Sequence, residues 1–177
     1  RLVSRRVQGT FFVITSCLEG RVAAVHKNHF LMAALDPHVY RREVMARLAE
    51  LTLVGVDGAR ARATYRWDDE PTAELKYLLN FVVPAAVRET VLDAMFLETF
   101  GDEAAFARQL YVDWSEVTAL QSCGMLVGGH THTHPVLARL DPAAQAEELK
   151  ASTRLLEEKL LPQWIWPFSY PFGKDDA

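Results

Sequence analysis

A continuous apolar run near the start of the chain, G-T-F-F-V-I-T from Gly9 to Thr15, limits the folds that this sequence can adopt. Aromatic and β-branched residues without polar alternation are typical of a strand that is buried on both faces. A second short apolar run, Met125–Gly129, has the same character, and a third lies at Trp164–Tyr170. Helical patterns separate the three runs, and this order predicts a parallel sheet or barrel with crossover helices.

The long stretch between the first two runs has the pattern of a helical insertion. Apolar residues recur at helical spacing in Val39–Leu53 and again in Ala73–Phe100, where Pro84 marks a turn or kink. Between them, Thr52–Pro71 is rich in glycine, aspartate and arginine and predicts a loop. We therefore expect a single domain over residues 1–177 with a helical insertion at about 25–121.

Three further helices are predicted from capping residues and apolar spacing. Asp102–Leu110 and Ser115–Cys123 are short, and the second has Ser115 as the expected N-cap and Gly124 just past its end. A long helix is expected from Asp141, which precedes a proline at the first helical position, to Leu161.

Composition and charge exclude several classes of protein. With 177 residues, 50% of them hydrophobic, the chain can bury one sizeable core and is not a disordered protein. A net charge of -4 gives no basic surface for nucleic acid or for an anionic membrane. No apolar run reaches the ~18 residues of a spanning helix and no signal-peptide pattern is present, which favours a cytoplasmic location. Cys17 and Cys123 lie far apart, match no metal-ligand spacing and are expected to be buried small hydrophobic residues rather than a disulfide.

The second apolar run leads directly into H-T-H-T-H-P, which carries three of the six histidines of the chain. Metal and catalytic sites of parallel α/β folds lie at the carboxyl ends of strands. If the segment forms one helical turn, His130 and His134 share a face and can bind one divalent ion. If it stays extended, His130, His132 and His134 project to the same side, and an H-x-H pair is the alternative.

These motifs resemble the polysaccharide deacetylase family, the fourth family of carbohydrate esterases. The resemblance rests on G-H-T-H-T-H-P at Gly129–Pro135, on T-F-F-V at Thr10–Val13 and on S-Y-P-F-G at Ser169–Gly173, in the order of the family. It implies a distorted (β/α) barrel with fewer than eight strands, of which this chain is a part. It also implies a hydrolase that removes N-acetyl groups from the amino sugars of a poly- or oligosaccharide.

The resemblance further implies a divalent metal, zinc by default, held by one aspartate and two histidines. The two histidines are His130 and His134, while Thr131 holds the loop by hydrogen bonding and Pro135 shapes the turn. His132 falls at a variable position of the family motif. The family aspartates, one a ligand and one the general base, precede the T-F-F-V strand, and we expect them upstream of Arg1.

The last motif supplies the expected substrate contacts. By the resemblance, the backbone N–H of Phe172 donates to the oxyanion, and Pro171 and Phe172 wall the groove. Trp166 is assigned to the substrate as a residue that can stack on a sugar ring or pack in the core. Ser169 departs from the family, where many members carry an arginine that pairs with the catalytic carboxylate.

Three other features of the sequence are candidates for a functional role. Trp67-Asp68-Asp69 follows a polar stretch rather than an apolar strand and is interpreted as a solvated turn, not as the family aspartate pair. His26 and His29 either line the groove or are structural. The apolar stripe from Leu75 to Phe96 predicts packing against the barrel or against a second copy of the chain, as in a homo-oligomer.

Two alternative functions remain open at this point. One is a metal hydrolase of the amidohydrolase kind, with His130 and His132 as ligands. The other is a deacetylase-like domain that has lost catalysis and binds carbohydrate.

Overall fold

The computed structural model describes residues 1–49 and 55–173, and the fold is mixed α/β and mostly helical. Its strands are β1 (Thr10–Val13) and β2 (Leu126–Gly129). Its α-helices are α1 (Thr15–Leu18), α2 (Ala24–Ala34), α3 (Pro37–Arg47), α4 (Gly58–Thr64), α5 (Glu70–Tyr77), α6 (Ala85–Phe100), α7 (Glu103–Leu110), α8 (Trp114–Ser122) and α9 (Pro142–Lys159). Short 3₁₀ turns lie at Val3–Arg5, Leu137–Arg139 and Pro171–Gly173, and a π-helical turn at Leu78–Val82 follows α5.

The described residues form two compact units. One combines Arg1–Ala23 with Asp102–Ala177 and contains both strands, and the other is Ala24–Gly101 and contains α2 to α6. The sequence prediction of one domain with an insertion at about 25–121 stays a prediction.

The strand-containing unit is built on a parallel pair of strands, as the sequence predicts. β1 and β2 pair in the register Thr10 with Leu126 through Val13 with Gly129. Val13 and Val127 are buried on this pair and pack with Val117 of α8 and Leu156 of α9. The core therefore lies between the two strands and the helices that flank β2.

The third apolar run does not form the strand that the sequence predicts. Trp164–Tyr170 makes a single parallel bridge, between Phe168 and Gly129. Pro167 has no backbone N–H, so this segment cannot donate at every position to a neighbouring strand. The described sheet accordingly has two strands, and a barrel is not shown.

The helical unit has its own apolar core, which includes Leu31, Val44, Leu79 and Leu92. An ion pair joins two of its helices, because Nζ of the buried Lys27 side chain of α2 lies 2.5 Å from Oδ1 of the partly exposed Asp93 of α6. A buried charge is costly unless it is paired, so this contact fixes how α2 lies on α6.

Two expectations for the helical region are corrected. The polar stretch Thr52–Pro71 contains a helix, α4, since its alternating alanines and arginines are good helix formers and Asp57 accepts from Arg60 N as the N-cap. The predicted helix Val39–Leu53 ends at Arg47, and residues 50–54 lie outside the described residues.

The N-terminus of α8 also differs from the prediction. Asp113, not Ser115, is the N-cap, and it forms a capping box with Glu116. The sequence signal for this cap is present, because an acidic residue three positions before Glu116 is a capping-box spacing. Among the residues that the structure describes, no helix combines the length and the apolar character that a membrane span needs.

Candidate active site

The histidine segment leaves β2 in a compact turn that is neither helical nor extended. Thr131 and His134 both have a φ of 64°. This left-handed conformation is uncommon for residues other than glycine. The segment therefore adopts neither the helical turn nor the extended conformation predicted from the sequence. Its third conformation nevertheless brings His130 and His134 together.

His130 and His134 face each other across this turn. Their Nε2 atoms are 3.2 Å apart and their ring centroids 4.8 Å apart. The other ring nitrogen of His130, Nδ1, lies 2.7 Å from the backbone carbonyl of Ser169. A carbonyl can only accept, so His130 Nδ1 donates, and a neutral His130 ring then directs a lone pair from Nε2 toward His134.

Thr131 closes the turn from within. Its side chain is fully buried, and its Oγ1 accepts from the backbone N–H of His134 at 3.0 Å. The hydroxyl also donates to the carbonyl of His130 at 2.6 Å, so it joins the first and the last residue of the turn. Pro135 follows, and it is buried at the point where the chain leaves the turn.

The segment after β1 continues to pair with the turn beyond the end of the sheet. Thr15 N donates to the carbonyl of Thr131 at 3.3 Å, and Ser16 N donates to that of His132 at 3.0 Å. The His132 ring lies against this segment, with Nδ1 2.9 Å from Thr15 Oγ1. His132 is therefore engaged with the β1–α1 junction, while His130 and His134 face each other.

The S-Y-P-F-G motif lies on the other side of the turn. Gly129 N donates to the Pro167 carbonyl and Ser169 N donates back to the Gly129 carbonyl, each at 3.0 Å. Pro171 is buried. Phe172 has a φ of 60°, and its ring centroid is 5.1 Å from that of His134. The structure thus brings Phe172 to the histidine pair, next to the carbonyl of Ser169 that holds His130.

The two tryptophans of the last apolar run have different environments. Trp166 is partly buried and packs against the core of the strand-containing unit. Trp164 is 80% exposed. Trp166 therefore packs in the core, which is one of the two roles expected for it, and Trp164 is the more accessible indole.

A tetrahedral zinc ion fits the histidine pair. Two nitrogen ligands at about 2.0–2.1 Å from such an ion are about 3.3–3.4 Å apart, close to the observed separation of the Nε2 atoms. Ligand histidines commonly donate their other N–H to a carbonyl, as His130 does to Ser169. Within residues 1–49 and 55–173, no group of three or more His, Cys, Asp or Glu side chains is placed to hold a metal.

Glu148 is a residue of this site that the sequence analysis did not single out. It lies in α9, and its carboxylate accepts hydrogen bonds from His132 and Thr133. A carboxylate on a long polar helix gives no sequence signal of such a role, because most such residues face solvent.

The other candidate residues lie in the helical unit. Asp69 is the N-cap of α5 and Asp68 pairs with Lys76, while Trp67 is 87% exposed, in agreement with a solvated turn. His26 lies in α2, where burial first and then the charge of His29 lower its pKa below 6.5. The sequence also predicts a loop or a helix start at Asp175 and Asp176, and these two residues lie outside the described residues.

Comparison with known families assigns the chain. Residues 63–177 match the family model of polysaccharide deacetylases, which is more than half of the sequence. The chain therefore belongs to the polysaccharide deacetylase family, a class of hydrolases that act on carbohydrates. The matched range includes the histidine segment and S-Y-P-F-G but not the T-F-F-V strand. No curated protein and no solved structure matches the chain.

Proposed function

We propose that this protein is a metal-dependent deacetylase that removes N-acetyl groups from the amino sugars of a poly- or oligosaccharide. The observation that carries the proposal is the 3.2 Å separation of the Nε2 atoms of His130 and His134. These two residues would hold a divalent ion, zinc by default. The family membership of the chain supports a carbohydrate substrate.

The reaction is amide hydrolysis. Water oxygen bonds to the acetyl carbon, the bond from that carbon to nitrogen breaks, and the nitrogen takes up both water protons, so that acetate and an ammonium group result. When bound, the ion supplies Lewis acidity toward the acetyl carbonyl and lowers the pKa of water. The family resemblance assigns the third ligand and the general base to an aspartate pair, so the test requires the full-length protein.

The chain's own residues have three roles in this proposal. His130 and His134 bind the ion, and the carbonyl of Ser169 keeps the proton of His130 on Nδ1 so that Nε2 stays available. The backbone N–H of Phe172 donates to the oxyanion that forms on the acetyl oxygen. Pro171 and the Phe172 ring wall the groove beside His134.

The same geometry supports His134 over His132 as the second ligand. His132 Nδ1 is directed to Thr15 Oγ1, whereas the alternative amidohydrolase-like site needs His132 beside His130.

The loss of an arginine at Ser169 favours the other alternative, a carbohydrate-binding module without activity, since serine cannot orient a carboxylate by an ion pair.

One experiment separates these functions. Metal content is measured by elemental analysis for the full-length wild type and for His130→Ala, His134→Ala and His132→Ala, together with acetate release from an N-acetylglucosamine oligomer. We expect stoichiometric metal and acetate release in the wild type, loss of both in His130→Ala and His134→Ala, and retained metal in His132→Ala.

The contrary results are equally specific. Retained metal in His134→Ala with loss in His132→Ala would establish the extended pair. Sugar binding without acetate release would establish the inactive module. A wild type that takes up no metal in metal-replete medium would overturn the proposal.

A further inference from the structure

We infer that Glu148 is a positioning residue that sets the separation of His130 and His134; this inference rests on the proposed function. The carboxylate reaches the turn at His132 and Thr133, two of the three residues between His130 and His134. Oε2 accepts from His132 N and from Thr133 N, both at 2.9 Å, and Oε1 accepts from Thr133 Oγ1 at 2.7 Å.

Both oxygens of Glu148 are engaged by the turn. Hydrogen bonds to an ionised carboxylate are shorter and stronger than those between neutral groups. Two neighbouring backbone N–H groups converge on one oxygen only if the peptide between His132 and Thr133 has a particular orientation. Because this peptide lies midway between the two facing histidines, its orientation determines how far apart their rings are held.

Helix α9 is a rigid support for this contact. Gln145, Glu148, Ser152 and Leu156 are spaced three or four residues apart and so lie along one face of the helix. Leu156 is buried in the core below β2, and Ser152 is buried next to Gly129. Glu148 is the next residue along that face, at the level of the turn.

Gln145 extends the same support to the chain that leaves the turn. Its side-chain amide donates to the carbonyl of Leu137 at 3.1 Å and to that of Leu140 at 3.0 Å. Two side chains of α9 thus hold the turn and the 3₁₀ segment after it. The opposite side of the turn is held by backbone groups of Thr15 and Ser16.

The test measures metal affinity rather than activity alone. Zinc affinity of the full-length protein is determined by competition with a chelator for wild type, Glu148→Gln and Glu147→Gln. Glu147 is the matched control, because it is the preceding residue of the same helix, its side chain is 76% exposed and it pairs with Lys150 at 3.1 Å. We expect Glu148→Gln to weaken zinc binding by about 10- to 100-fold, the range found when partners of metal ligands are removed, and Glu147→Gln to leave it unchanged.

Two further readouts separate positioning from a general loss of structure. The Co²⁺ absorption spectrum of Glu148→Gln should differ in band position from that of the wild type, since the ligand geometry changes. At saturating zinc, kcat for acetate release should fall while KM for the oligomer stays the same.

If Glu148→Gln does not fold, Thr133→Val, which removes only the hydroxyl contact, is used instead and should weaken zinc binding.

The outcomes distinguish this inference from the function on which it rests. If Glu148→Gln binds zinc as tightly as the wild type, the positioning role is overturned and the proposed function stays intact. The same conclusion holds for Thr133→Val where that variant is used instead. A wild type that binds no zinc overturns both.

Discussion

Gly128 is the residue at which two segments of the site come closest. A Cβ at this position would lie 2.6 Å from the carbonyl oxygen of Pro167 and 2.8 Å from the ring of Phe12. Real Cβ atoms essentially never approach other atoms this closely. A glycine here therefore allows the chain before S-Y-P-F-G to lie against the sheet, which brings the Ser169 carbonyl to His130.

We predict that Gly128→Ala destabilises the protein by about 1–3 kcal/mol, because the Pro167 backbone has to move away. Gly58→Ala is the control, since the Cβ there would meet only the ends of the Glu74 and Arg62 side chains, and alanine favours helix α4. Urea denaturation measures both variants. Equal stability of the two variants would contradict the close approach at Gly128.

The sequence predicted which side chains meet at the site but not the backbone that brings them together. His130 and His134 are four residues apart, and this spacing suggested a shared ion through a helical turn. The structure reaches the same proximity through left-handed Thr131 and His134. Such conformations are rare for these residue types and are fixed by contacts from distant segments, so no local pattern could reveal them.

At the scale of elements, aspartates cap the start of six of the nine described α-helices. Side chains of aspartate accept from backbone N–H groups at the N-termini of α3, α4, α5, α7, α8 and α9. This residue type at that position satisfies donors that the helix itself leaves unpaired. The predicted starts at Asp102 and Asp141 are accordingly confirmed, whereas α8 begins after Asp113 rather than at the predicted cap Ser115.

Helix α2 should make the stability of the protein depend on pH. Burial lowers the pKa of His26, and that of His29 is lowered as well. The unfolded state therefore binds more protons below the ordinary histidine pKa of 6.5, so the free energy of unfolding falls as the pH drops through that value toward the folded pKa.

We predict that His26→Gln reduces this fall, and that His26→Gln with His29→Gln reduces it further. Chemical denaturation at intervals between pH 5 and pH 8 measures the slope. Near pH 8 both histidines are neutral in either state, so the slopes of wild type and variants should coincide there. An unchanged slope between pH 5 and pH 6.5 in the double variant would refute the role of these histidines.

At the scale of the molecule, each compact unit has its own apolar core. Leu156 is buried in the core of the strand-containing unit, and Leu92 in the core of the helical unit. A buried leucine contributes stability through the apolar area that it removes from water and through close packing.

We predict that Leu156→Ala and Leu92→Ala each cost about 2–5 kcal/mol. Hydrogen exchange should show that each variant loses amide protection in the unit that contains the substitution. Equal loss of protection in both units for either variant would show that the chain unfolds as one cooperative body.

The sequence predicted correctly that the strands pair in parallel, but it predicted three strands where the described sheet has two. Uniform apolar runs correctly predicted β1 and β2, although only Val13 of the four β1 residues is buried. The run at Trp164–Tyr170 has the same composition, but Pro167 lacks an N–H and the run forms one bridge, at Phe168. Apolar composition does not by itself show burial, since Trp164 and Tyr170 are 80% and 51% exposed, and a ladder also needs an N–H at each pairing position.

The segments that hold the histidine turn are far apart along the chain. Thr15 and His132 are 117 positions apart, and His130 and Ser169 are 39 apart. During synthesis, a nascent chain on the ribosome can therefore complete the core of residues 24–101 long before the last support of His130 has left the exit tunnel. The order of translation thus places the assembly of the candidate active site after that of the helical unit.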